Sequence, residues 1–332
     1  MAGPFYNLVK GTAGSAPGTG AFTPSTAPTG YQAWSNVPTG WFGLVRFDDG
    51  TAWELAYAYW NGTTLSRSST QIVKTSTGSL LTLSASSTAA LIADGSRVSP
   101  NLIVPIRGLF PIPGAATTPT AVGLPAATVT GTAAAGALAA TNFLTMQPRV
   151  HVASATTANA QAGYAHTTLC GLTSTTAGNG GWDFNCRFGH SGALPTGPRA
   201  FIGMTGTTFV ANTAEPSALV ANYAVFGFDS TDTNIQLITN SNAGAGTKVN
   251  TGIAFVANGW YEADIWCDPG SSVIKALLVR LDTGAIFYTE TNTDVPATGS
   301  LMMPQCMTGL SATTGTAFTL AFGGYTIQTG GW

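Results

Sequence analysis

The eight residues Tyr261-Glu262-Ala263-Asp264-Ile265-Trp266-Cys267-Asp268 are the densest run of chemically capable side chains in the sequence. Successive side chains of a strand point to opposite faces, so Glu262, Asp264 and Trp266 would share one face. Tyr261, Ala263, Ile265 and Cys267 would then share the other. Two carboxylates beside an aromatic are the equipment of glycoside hydrolysis, one as acid and one as nucleophile or base. The same set suits sugar binding, where an aromatic stacks on the ring and Asp or Asn takes its hydroxyls. Trp182 with Asp183 and Asn185 forms a second set of this kind. The candidate glycan contacts are therefore Trp182, Asp183, Glu262, Asp264 and Trp266. Core or subunit packing is the competing use of each aromatic.

Other motifs give less. Asp229, Asp232 and Asn234 sit in F-D-S-T-D-T-N, but a calcium loop needs Gly at its sixth position and Glu at its twelfth, where Asn240 stands. A turn capped by its own side chains is the expectation there. His151, His166 and His190 are isolated, and no H-E-x-x-H, G-x-S-x-G or G-x-x-x-x-G-K-[ST] pattern is present. Cys170, Cys186, Cys267 and Cys306 show no metal-ligand spacing and are expected to be reduced, buried small hydrophobes. The chain is thus read as a non-enzyme with no catalytic residue, cofactor or metal.

Composition narrows the partners. Of 332 residues only 8% are charged, while 16 Phe, 9 Tyr and 8 Trp supply material for a core. A net charge of −2 with 12 scattered basic residues excludes a nucleic-acid partner, which needs clustered Lys and Arg. No run approaches about 18 apolar residues, so no membrane insertion is expected. The N-terminus lacks the basic-then-apolar layout of a signal peptide.

Strand signals dominate, and the predicted fold class is all-β. Gly43 to Phe47 and Trp53 to Tyr59 flank an Asp-Asp-Gly turn, followed by Asn61-Gly62 and a short strand from Thr63 to Arg67. Alternation puts Trp53, Leu55, Tyr57 and Tyr59 on one face, expected to be core or subunit contact. Residues 97–140, broken by six prolines from Pro100 to Pro125, read as a connector. Beyond it, strands are predicted at 149–154, 181–189, 200–205, 224–228, 235–240, 260–267, 273–281, 285–291 and 317–328. Their spacing argues for an antiparallel jelly roll or β-sandwich. The expected domains are 1–96, an N-terminal antiparallel β domain; 97–140, the connector; and 141–332, the sandwich.

The first hundred residues carry a resemblance. F-Y-N-L-V-K-G-T, G-T-G-A-F-T, D-G-T-A-W-E, G-T-T-L-S-R and the closing A-L-I-A-D-G resemble the N-terminal attachment module of tailed-bacteriophage virion proteins: tail fibres, tailspikes and head fibres. R-A-F-I-G-M-T-G, Y-A-V-F-G-F-D-S-T-D-T-N-I-Q-L-I-T-N and Y-E-A-D-I-W-C-D-P resemble the jelly-roll, lectin-like modules of phage appendages. The resemblance implies a virion structural protein assembled in the bacterial cytoplasm and trimeric with itself. Its N-terminal domain would contact other virion proteins, and its sandwich would contact host surface polysaccharide. A polysaccharide depolymerase is the alternative. The jelly-roll glucanases carry a related E-x-D-x-x-E strand, but here Cys267 stands in place of the third carboxylate and Asp268 comes one residue late.

Overall fold

The computed structural model describes residues 9–92, 107–109, 127–167, 169–177, 179–209, 213–311 and 315–329. Among them there is no α-helix, only strands and three single-turn 3-10 segments, and no helix is long and apolar enough to cross a membrane. The chain divides into two compact units, Met1–Leu102 with Thr283–Thr289, and Ile103–Asp282 with Glu290–Trp332.

The first unit contains β1 (Lys10–Thr12), β2 (Phe42–Asp48), β3 (Trp53–Tyr59), β4 (Ile72–Thr75) and β5 (Thr88–Leu91), hydrogen-bonded in the order β1-β5-β2-β3-β4. The β2–β3 hairpin closes at Gly50, whose φ of +84° favours glycine. Residues 63–67 do not form a strand of their own. Asn61 Oδ1 instead accepts the amides of Thr63 and Thr64, and Leu65 makes single bridges to Phe22 and Trp60.

The face of β3 turned to the core also differs from expectation. Ala56, Ala58 and Trp60 join Phe22, Trp34, Val45 and Phe47 in the buried cluster, whereas of the predicted face only Tyr57 is buried and Trp53, Leu55 and Tyr59 are partly covered. Small side chains on β3 leave room for the aromatic rings that other segments insert, and bulk alone misidentifies the inner face. Trp53 lies instead against the Arg46 guanidinium, 5.5 Å from its ring centre.

Glu54 shares that inner face and is fully buried. Its Oε1 accepts Arg67 Nε at 2.6 Å and its Oε2 accepts the Leu81 amide at 2.9 Å. The remaining Arg67 nitrogens donate to the carbonyls of Gly18, Gly20 and Leu81. The guanidinium also stands 5.2 Å from the Phe47 ring centre. The Glu of D-G-T-A-W-E and the Arg of G-T-T-L-S-R thus form one buried node that ties three irregular segments to the sheet.

A second carboxylate pins another loop. Asp49 accepts the Ser84 amide and the hydroxyls of Ser84 and Ser87. These bonds favour its charged form and hold it below the ordinary value of 3.8. A folded value below the unfolded one makes the contribution complete above about pH 4 and lost as pH falls through the folded value. Asp49→Asn should therefore flatten the acid limb of the unit's stability curve below about pH 4. Urea titrations at pH 2–6 measure this, and an unchanged acid limb would refute it.

The second unit begins with β6 (Arg107–Leu109), β7 (Thr128–Thr130), β8 (Thr132–Gly136), β9 (Arg149–Ala153), β10 (Gln161–Ala165) and β11 (Gly171–Leu172). Then come β12 (Trp182–His190), β13 (Pro198–Thr205), β14 (Asn222–Phe228), β15 (Asn234–Ser241) and β16 (Thr247–Ala254). The series ends with β17 (Trp260–Cys267), β18 (Ile274–Arg280), β20 (Leu301–Leu310) and β21 (Thr319–Thr329), while most of β19 (Ala285–Thr291) falls in the Thr283–Thr289 segment of the first unit.

One antiparallel sheet runs β16-β15-β14-β13-β20-β10-β7, with β11 added on β20. The other contains β18-β17-β12-β21-β9-β8, with β6 added on β21. Aromatic contacts knit the two into a β-sandwich: Tyr164 meets Phe322, and Phe228 meets Phe255 and Phe318. Much of the stretch read as connector lies outside the described residues. Its end, however, is sheet: β7 pairs with β10 and β8 with β9. There Thr and Val alternate with small residues beyond the last proline, which permits pairing that proline would block.

Candidate functional site

β12 and β17 lie side by side, with Asp183 opposite Trp266, Asn185 opposite Asp264 and Arg187 opposite Glu262. Directly opposed residues of an antiparallel pair share a face, so these six side chains form one polar patch in two files. Lys275 of β18 extends it beside Trp266, and Thr326 and Gln328 of β21 extend it beside Asn185 and Asp183. Four of the five predicted contacts, Asp183, Glu262, Asp264 and Trp266, are thereby brought together.

Trp182 is not with them. Alternation turns it inward with Phe184 and Cys186, it is fully buried, and its Nε1 donates to Thr173 Oγ1 at 3.4 Å. The grouping of Trp182 with Asp183 and Asn185 is corrected on that ground. Neighbours in sequence on a strand face opposite ways, and an enclosed indole cannot stack on a sugar. The residue that does join Asp183 and Asn185 is Arg187. Its period-two spacing in W-D-F-N-C-R was the signal available in the sequence.

Glu262 is the best-defined group of the patch. Its Oε2 accepts Arg187 Nε at 2.9 Å and its Oε1 accepts Asn185 Nδ2 at 3.5 Å. The Arg187 side chain remains 52% exposed while that of Glu262 is 10% exposed. Both carboxylate oxygens of Glu262 are thus engaged as hydrogen-bond acceptors. Cys267, in the place of the glucanase third carboxylate, faces the sandwich interior. Its Sγ donates to Ser271 O, and burial pushes its thiol up to about 12. Asp268, one residue later, accepts Lys275 Nζ at 2.6 Å. Cys267 thus supplies no third acid, and Asp268 is paired with the Lys275 that borders the patch.

The remaining motifs resolve into structure. Asp229 accepts the Ser217 amide and hydroxyl, and Asp229 and Asp232 together hold Lys248 Nζ at 2.9–3.0 Å. His190 is bracketed by the carbonyls of Thr319 and Ala193. His166 meets Tyr325 Oη across the core. His151 accepts Arg149 Nε at 3.0 Å, and burial with that neighbouring cation lowers it to about 4. All four cysteines are free thiols, three of them buried. Sequence reasoning overlooked an open pocket of about 220 Å³ in the N-terminal unit, lined by Pro24, Ser25, Trp34, Trp60 and Thr63. Both indole nitrogens there are already engaged, with the carbonyls of Ala89 and Val37.

The chain matches no protein-family model, and no curated protein is similar to it in sequence. Solved structures give broader similarities. A protein of unknown function from Shewanella oneidensis MR-1 superposes with a TM-score of 0.44 at 12% identity, covering 73% of this chain and 96% of that one. The Lotus tetragonolobus seed lectin gives 0.43 at 12% identity, over 68% and 98%. Lectin II from Ulex europaeus gives 0.44 at 8% identity, over 67% and 96%. Similarity of this extent assigns neither ligand nor activity.

Proposed function

We propose that the chain is a bacteriophage virion appendage protein, of the tail-fibre or head-fibre kind. In this reading the N-terminal unit anchors it to the particle and the β-sandwich meets glycan on the host surface. The observation that carries it is the pairing of Glu54 with Arg67. Two separated stretches of the sequence that resemble the attachment module, W-E and L-S-R, owe their charged residues to one buried contact, as parts of a single module would. For the glycan role, the support is the group of acceptors and donors Asp183, Asn185, Arg187 and Glu262, whereas Asp264 and Trp266 on the same face are enclosed, at 4% and 7% exposure. Self-association as a trimer and attachment to other virion proteins belong to the same proposal. A depolymerase has no specific observation in its favour, given the engaged Glu262 and the buried Cys267.

Electron microscopy of virions labelled with an antibody to residues 141–332 tests the reading. Label at the tail tip or baseplate would make host recognition the leading role. Label over the capsid would make it a head fibre or decoration protein. Unlabelled particles would end the virion proposal, and a monomeric mass at micromolar concentration would end the trimer.

A further inference from the structure

We propose that Arg199 and Gln161 form a binding site for a hydroxy-carboxylate, the acid edge of a uronic acid or of a small hydroxy acid. Arg199 of β13 and Gln161 of β10 both stand opposite Gly309 of β20, one on each side. A Cβ at position 309 would come within 3.1 Å of Gln161 Cγ and 3.6 Å of Arg199 Nε. The two long side chains therefore converge over a strand position that has no side chain of its own.

Arg199 is only 2% exposed, and its Nη1 donates to the carbonyl of Thr213. Among the described residues its Nε and Nη2 have no hydrogen-bond partner, and neither do Nε2 and Oε1 of Gln161, all four atoms being buried. Burial lowers the Arg199 pKa from its ordinary value while Glu215 and Asp229 raise it. Those two carboxylates are spent elsewhere, Glu215 on the Ser230 amide and hydroxyl and Asp229 on Ser217 and Lys248. A guanidinium stays charged in proteins, and a buried charge without a partner is costly.

The identity of the vacant atoms defines the ligand. Nε–H and Nη2–H are the parallel pair along one side of a guanidinium, and they match the two oxygens of a carboxylate. Gln161 adds one more donor and one acceptor. The acceptor calls for a hydroxyl beside the acid, which a uronic acid or a hydroxy acid supplies and a simple anion does not. Thr213, whose carbonyl accepts Arg199 Nη1, is exposed.

The inference is independent of the virion reading, since particle labelling bears on one and solution binding on the other. The test is titration of the full chain with glucuronate, glycolate, acetate and glucose, followed through the Nε–H resonance of Arg199 in protein carrying ¹⁵N-arginine. Glucuronate or glycolate should shift that resonance, binding about tenfold more tightly than acetate, which lacks the hydroxyl. Whichever of the two binds tighter identifies the source as an acidic sugar or a free hydroxy acid. Glucose should not compete. Arg199→Lys, which keeps the charge and removes the parallel donors, should weaken binding at least about tenfold. Gln161→Met should erase the preference for a hydroxyl and leave acetate binding unchanged. Ligand should raise the melting temperature of the wild type and not of Arg199→Met. The proposal is overturned if no carboxylate binds, if glucose binds equally, or if Arg199→Lys keeps the wild-type affinity.

Discussion

Arg67→Met is expected to destabilise the N-terminal unit by about 3–5 kcal/mol, the usual consequence of removing one partner from a buried ion pair. The Glu54 and Arg67 side chains are wholly enclosed, so the variant strands a carboxylate that water cannot reach. It also removes the guanidinium donors from the carbonyls of Gly18, Gly20 and Leu81, of which Gly18 O keeps the Leu83 amide. Glu54→Gln should cost a similar amount, because it leaves the cation unpaired in the same enclosure. The double variant Glu54→Gln/Arg67→Met should lose less than the two single losses added together, because contacting residues do not act additively. Urea unfolding followed by tryptophan fluorescence reads the effect, since Trp34 and Trp60 lie in that core. A loss below about 1 kcal/mol for Glu54→Gln, the size typical of exposed pairs, would show that the pair does not organise the module.

Trp182→Ala is expected to cost the sandwich about 3–5 kcal/mol, as large-to-small changes at filled core sites do. Trp182 stands opposite Cys267 on one side and Thr329 on the other, and a Cβ on Gly171 would come within 3.0 Å of its ring. The indole therefore fills the space between β12 and β11, and alanine would leave a cavity that neighbours can close only in part. Far-ultraviolet circular dichroism in urea measures the change. Unaltered stability would return Trp182 to the set of exposed glycan platforms.

The sandwich was legible because its inner strands alternate or run apolar between Gly and Asn turns. The span predicted at 260–267 is β17 itself, and those at 224–228 and 235–240 lie inside β14 and β15. β20 escaped notice for a physical reason. Leu-Met-Met-Pro-Gln-Cys-Met-Thr-Gly-Leu is buried along nearly its whole length and so lacks alternation, and Pro304 forbids a central strand by the usual rule. The rule is met in an unexpected way. Pro304 O accepts the His166 amide, so its missing N–H would point to the same side, where β10 has already ended at Ala165. At the candidate site, alternation gave the files of Glu262, Asp264 and Trp266 correctly. Pairing Trp182 with its immediate neighbour Asp183 ignored the same alternation. Arg199 gave no sequence signal, because the glycine it covers lies 110 positions away.

The buried node of the N-terminal unit also bears on how the chain is made. Every group in it, from Gly18 to Leu81, and every strand of its sheet, from Lys10 to Leu91, is translated before the strands of the sandwich. Domains generally fold as units during synthesis, the N-terminal one first. The sheet and its ion pair can therefore close while the long-range pairs of the sandwich, such as β12 with β21 and β13 with β20, still await translation. Each nascent chain would carry a closed five-stranded sheet before its sandwich is complete.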